Sequence, residues 1–95
     1  MELHLIISGR VQGVGYRQWL CGRALAAGVT GWVRNRADGT VEAVLCGPAE
    51  SVEALVAAAM AGPPGARVDD IRRREAEAAQ VDQAGKAFFI ASSAS

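Results

Sequence analysis

ELHLIISGRVQGVGYRQWL, residues 2–20, changes its periodicity part-way along. Up to Ser8 the residues alternate, with Leu3, Leu5 and Ile7 to one side and His4 and Ser8 to the other, the mark of a half-buried strand. From Tyr16 the spacing lengthens: Tyr16, Trp19, Leu20, Ala24 and Ala27 share one helical face, with Gln18 and Arg23 off it. Between the two runs lies a loop from Gly9 to Gly15 that contains three glycines. A strand that passes through such a loop into a helix is the opening half of an α/β unit.

Gly28 is a natural C-terminal stop for that helix. VTGWVRNR, residues 29–36, is β-branched and aromatic enough for a second strand. Ala37-Asp38-Gly39 predicts a turn, since Asp-Gly favours positive φ. TVEAVLC, residues 40–46, alternates again with Val41, Ala43 and Leu45 on one face, so 29–46 is a predicted hairpin. Gly47-Pro48 opens a second helix with proline at its first position. Its apolar stripe is Val52, Leu55, Val56, Ala59 and Met60, and Gly62-Pro63-Pro64-Gly65 ends it. Residues 66–76 read as a polar edge strand, 77–85 as a loop, and KAFFIAS (86–92) as the last strand, with Ser93-Ala94-Ser95 expected to fray. The order β-α-β-β-α-β with two helical stripes predicts an α+β, ferredoxin-like sandwich. An antiparallel sheet of four to five strands would carry both helices on one face.

The 95 residues suit one domain over 1–95, and 51% hydrophobic content supports a folded core. Ten basic and ten acidic side chains cancel, which argues against nucleic acid or an anionic membrane as the main partner. No stretch approaches the roughly 20 apolar residues of a membrane span, and MELHLIISGR lacks the basic start of a signal peptide. Cys21 and Cys46 lack metal-ligand spacing and are expected as two reduced thiols in a cytoplasmic protein. No grouping of His, Cys, Asp and Glu has the spacing of a metal site, so neither metal nor other cofactor is expected.

The loop offers backbone N–H groups with little side-chain obstruction, and the helix that follows adds unpaired N–H groups and the positive end of its dipole. Arg17 sits in the first helical turn, where side chains lean back toward the N-terminus and over the loop. The usual phosphate motifs do not fit: Tyr16 and Arg17 follow Gly15 where a P-loop needs lysine and then serine or threonine, and the glycines are not spaced G-x-G-x-x-G. On these grounds the loop is either an anion cradle of another kind or a tight connection that needs glycine to turn.

Residues 9–17, GRVQGVGYR, resemble the first motif of the acylphosphatase family, G-x-V-Q-G-V-x-[F/Y]-R. Residues 31–47, from Gly31-Trp-Val-Arg-Asn35 through Gly39-Thr-Val41 to Gly47, resemble the second, and Phe88-x-Ile90 fits the later pattern. The resemblance implies a small ferredoxin-like enzyme that hydrolyses the carboxyl–phosphate bond of acyl phosphates without a metal. It implies that Arg17 binds phosphate, that the N–H groups of Val11, Gln12, Gly13, Val14, Gly15 and Tyr16 form the cradle, and that Asn35 orients the attacking water. Gln12, Gly13 and Gly15 would shape the loop. Inorganic phosphate or sulfate would bind as product or analogue. A monomer is the default expectation for a chain of this kind. One departure is that Ala91 and Ser92 stand where many members carry an aromatic and a basic residue.

The residues that the chain lacks agree with that substrate class. His4, the only histidine, precedes the loop on a strand and reads as structural or solvated. Asp69 and Asp70 are adjacent on a strand and point to opposite faces, and Arg72-Arg73-Arg74 reads as a solvated run. Trp19 and Trp32 read as core or half-buried residues. A guanidinium, amides and a carboxamide with no general base would serve a phosphate monoester poorly. A mixed anhydride is different, because its carboxylate leaves without being protonated. Two other readings are a non-catalytic module that binds acyl or carbamoyl phosphate, as in the first domain of a large hydrogenase-maturation carbamoyltransferase, and an RNA-binding sheet. The absence of zinc-finger cysteines in 95 residues favours a free-standing enzyme over the first. The absence of an RNP-type aromatic run counts against the second.

Overall fold

Leu3, Leu5 and Ile7 turn to one side of β1 (Glu2–Arg10) and are almost wholly buried, as their alternation requires. The computed structural model describes residues 1–94. After β1 come α1 (Tyr16–Ala27), β2 (Thr30–Asn35), β3 (Val41–Cys46), α2 (Ala49–Ala61), β4 (Arg67–Glu75), α3 (Ala78–Asp82) and β5 (Phe89–Ile90). The five strands form one sheet in the order β4-β1-β3-β2-β5. β1 pairs antiparallel with both β3 and β4, and β2 pairs antiparallel with β3. This is the expected ferredoxin-like plan. The short β5 runs parallel to β2, which makes the sheet mixed rather than purely antiparallel.

Both long helices supply the same face of the sheet. Tyr16, Leu20 and Ala24 from α1 join Val52, Leu55 and Ala59 from α2 over Leu5, Ile7, Val33, Val41, Ala43 and Leu45. Each fully buried aliphatic side chain contributes about 1.5–3 kcal/mol, so this layer carries most of the fold's stability. Ala27 and Met60, expected on those stripes, are exposed: they lie at the helix ends, beyond the reach of the sheet. Gly28 ends α1 in the left-handed region, its N–H shared between the carbonyls of Ala24 and Leu25. Pro48 is the residue before α2 rather than its first, and the helix begins at Ala49.

The opposite face is partly covered as well. Residues 77–85, expected as loop, contain α3, held by a reciprocal capping box between Glu77 and Gln80. The Trp32 indole N–H donates to the Gln80 carbonyl at 3.3 Å, which buries Trp32 outside the main core. The predicted strand 86–92 shrinks to Phe89–Ile90. The chain nonetheless stays beside β2, for the N–H groups of Ala91 and Ala94 donate to the carbonyls of Val33 and Asn35, both at 2.9 Å. Ala94 is therefore paired rather than frayed, while Ser95 lies outside the described residues. Ala91 keeps this backbone pairing with a methyl side chain.

Candidate active site

The loop between β1 and α1 is anchored at both ends by apolar side chains and left open in the middle. Val11 and Tyr16 are about 1% exposed, and Val14 packs against the core. Gly13 and Gly15 take φ of 73° and 77°. A Cβ at either would meet open space, so the backbone conformation and not crowding calls for glycine there. Gly15 is the N-cap of α1 and offers no side chain to its first turn. None of the N–H groups from Gln12 to Tyr16 donates to an acceptor among the described residues. Five consecutive donors stay free at the positive end of a helix.

Beside them is a cavity of about 400 Å³ lined by the loop residues Val11, Gly13, Gly15 and Tyr16 with Arg17, Gln18 and, from β5, Ile90. Arg17 is half-buried, and no described carboxylate lies within ion-pair distance of it. Its guanidinium therefore keeps its charge for whatever enters. The Tyr16 hydroxyl points elsewhere, donating to the Ala59 carbonyl at 2.8 Å and tying the start of α1 to α2. Burial pushes its phenol well above the ordinary tyrosine range, which leaves it a structural donor.

Gln12 does not line the cavity. Its amide spans to the β2–β3 turn, where Nε2 donates to the carbonyls of Arg36 and Thr40, each at 2.8 Å. That turn is built as expected, with Asp38 Oδ1 accepting from both the N–H and the hydroxyl of Thr40. Those bonds hold the Asp38 carboxyl below its usual range.

Asn35 also lies outside the lining of the Arg17 cavity, at the end of β2 on the same sheet face as the buried Val33. Two contacts tie its strand to the loop and to the cavity wall. Gln12 grips the carbonyl of Arg36, the next residue, and Ile90, which lines the cavity, pairs with Val33 two residues earlier. Asn35 Oδ1 is buried and accepts no hydrogen bond from the described residues. A buried polar atom without a partner costs about 1–3 kcal/mol, and such atoms concentrate where a ligand or water completes them.

Sequence reasoning missed Ile90 as a wall of the cavity and the amide bridge of Gln12, whose only signal was an isolated polar residue in an otherwise apolar and glycine loop. Cys21 and Cys46 are free and half-buried, and burial raises the Cys46 thiol. Among the described residues no three His, Cys, Asp or Glu side chains group as a metal site.

The acylphosphatase family model matches residues 3–89. The chain belongs to the acylphosphatase family. An acylphosphatase of Azorhizobium caulinodans is 51% identical over 89 residues, covering 94% of this chain and 92% of its own. The crystal structure of acylphosphatase from Bacillus subtilis superposes with a TM-score of 0.86 at 34% identity, over 95% of this chain and 97% of that one. The crystal structure of T. kodakarensis HypF contains a similar unit, with a TM-score of 0.81 at 29% identity over all of this chain but 12% of that one. This chain thus matches free-standing acylphosphatases along nearly their whole length and the larger protein over a small part.

Proposed function

We propose that this acylphosphatase-family enzyme holds the phosphoryl group of an acyl phosphate on the N–H groups of residues 11–16 and on the Arg17 guanidinium, while Asn35 orients the water that displaces the carboxylate. The observation that carries the reading is the pairing of a free guanidinium with the unclaimed N–H donors of Gly13, Gly15 and Tyr16 on one small cavity. Each charge-assisted hydrogen bond contributes about 1.5–3 kcal/mol, so several fix the orientation of one phosphoryl group. They also meet charge that builds on its oxygens during transfer.

The unpartnered Oδ1 of Asn35 supports its assignment to the water, since an acceptor fixes the direction of a water O–H. The water oxygen forms the new bond to phosphorus as the bond from phosphorus to the acyl oxygen breaks. The electron pair leaves on the carboxylate, and the water's proton passes to a phosphoryl oxygen. The products are a carboxylate and inorganic phosphate, and phosphate or sulfate binds the same cradle. Arg17 acts as an electrostatic clamp rather than an acid.

The same reading makes residues 1–95 one working domain, a cytoplasmic monomer. Two free thiols suit a reducing compartment, and no described helix is long and apolar enough to cross a membrane. Hydrolysis of benzoyl phosphate in ¹⁸O-labelled water tests the chemistry. The label is expected in inorganic phosphate. Label in benzoate would mean attack on the carbonyl and would refute the assignment of the cradle, and binding without turnover would leave a non-catalytic module.

A further inference from the structure

The sheet face turned away from α1 and α2 carries a second and larger cavity, of about 560 Å³. Strand register sets out its walls. Ile6 stands between Arg72 on β4 and Glu42 on β3, and Glu42 in turn opposes Arg34 on β2. In the next row Arg74, His4, Val44 and Trp32 stand side by side. Arg72 and Arg74 thus rise on one side, and Arg34 with Arg36 on the other, three strand spacings or about 14 Å apart at the backbone. All four arginines line the cavity. Arg73, between the first two, also lines the cavity, but its guanidinium is engaged by a two-pronged contact with Glu53.

The floor does not repel an anion. Glu42 is the one carboxylate among the lining residues and is 8% exposed. Its Oε2 pairs with His4 Nε2 at 2.7 Å and its Oε1 accepts from Arg34 Nε at 2.8 Å. Arg34 is held over the Trp32 ring, 4.8 Å from its centroid, so its terminal nitrogens are positioned but not used by a described acceptor. At the rim, Glu77 touches Arg74 at 3.6 Å and Asp38 touches Arg36 at 4.0 Å, both exposed contacts that an incoming anion displaces at little cost. Arg72 has no carboxylate partner among the described residues, and Asp70, exposed, lies beyond it opposite Ser8.

We propose that this groove is a second anion site, separate from the Arg17 cradle, and that it takes a small molecule bearing a chain of linked phosphates. Two arginines on each wall match an anion with several charged groups better than a single phosphate, which one wall alone would satisfy. The sheet lies between the two sites, so both can be filled at once.

The test uses Arg17→Ala protein, so that the cradle does not contribute, with Trp19→Phe leaving Trp32 as the only indole. Tripolyphosphate and adenosine triphosphate are titrated by Trp32 fluorescence and calorimetry at about 0.15 M salt. Binding of either below about 1 mM is expected, with orthophosphate at least about tenfold weaker. Equal affinities identify the phosphate chain alone as the ligand, and tighter adenosine triphosphate identifies a nucleotide. Arg34→Gln and Arg72→Ala should each weaken binding at least about tenfold, and Arg72→Ala removes no contact that the fold uses. No binding, affinity unchanged in both variants, or binding only of a single-stranded RNA would overturn the proposal.

Discussion

Gln12 and Arg36 are joined across the open end of the sandwich, the side-chain amide of one donating to the main-chain carbonyl of the other at 2.8 Å. The second amide hydrogen goes to Thr40, so one side chain fastens the β1–α1 loop to both ends of the β2–β3 turn. Asn35 is the residue next to that grip. The placement of the β1–α1 loop relative to Asn35 therefore depends on Gln12, which lies outside the Arg17 cavity.

Gln12→Ala should lower kcat/KM for benzoyl phosphate at least about tenfold, a consequence of slack between loop and turn. Stability should fall by only about 1–2 kcal/mol, because both carbonyls keep a turn partner: Gly39 N–H for Arg36 and Arg36 N–H for Thr40. Gln12→Glu should be worse in turnover, since it loses both donors and sets a negative charge against the two carbonyls they served. Steady-state kinetics with urea unfolding separates the two effects, and undiminished turnover in both variants would remove Gln12 from the account.

Asn35→Ala should reduce kcat at least about 100-fold while inhibition by inorganic phosphate changes less than about threefold. Its melting temperature should hold or rise, because the Oδ1 that it removes has no partner to lose. Equal losses in kcat and phosphate affinity would mean that Asn35 binds the phosphoryl group.

Tyr16→Phe should leave turnover per folded molecule intact and lower stability by about 1–2 kcal/mol. For a domain of this size that is a drop of about 5–10 °C in Tm. The lost bond is the one to Ala59, which ties the start of α1 to α2. A thermal melt beside a kinetic assay decides, and a large fall in kcat would give the hydroxyl a role in chemistry.

Acid should weaken the protein partly through Glu42. Burial opposes its ionisation, but the bonds from His4 and Arg34 and the charge of Arg34 outweigh it, so its folded pKa lies below the usual range. A depressed carboxylate adds stability that is complete above the unfolded value of about 4.3 and is lost as pH falls through the folded one. The stability gap between wild type and Glu42→Gln should therefore be widest near neutrality and close below about pH 4. Urea midpoints measured from neutral to acid pH check this, and a gap that widens toward acid would reverse the sign.

Local signals made the frame of this fold legible. The change of period at Tyr16, the Asp38-Gly39 turn and the stripe from Val52 to Ala59 each have a near-neighbour cause, and each appears as expected. What stayed hidden depends on partners distant in the chain. α3 has five residues and is stabilised by its own capping box and by the indole of Trp32, 48 residues away from Gln80. His4 alternates to the polar side of β1, yet it is buried because Glu42 comes to it from β3. The role of Ile90 as a cavity wall follows from parallel pairing with β2, which no local pattern in FFIAS announces. Of the candidate site, the loop conformation could be read from its glycines, whereas the assignment of Asn35 could come only from the family resemblance, since its strand is tied to the loop through the Gln12 bridge and sheet register.

The most direct measurement is the benzoyl phosphate kcat/KM of Arg17→Ala and Arg17→Lys, with phosphate inhibition recorded for each. Loss of at least about 10³-fold in the alanine variant, little recovered by lysine because an ammonium cannot reproduce the planar fork, is the expected result. Turnover within about tenfold of the parent in the alanine variant, with phosphate still bound, would contradict the account.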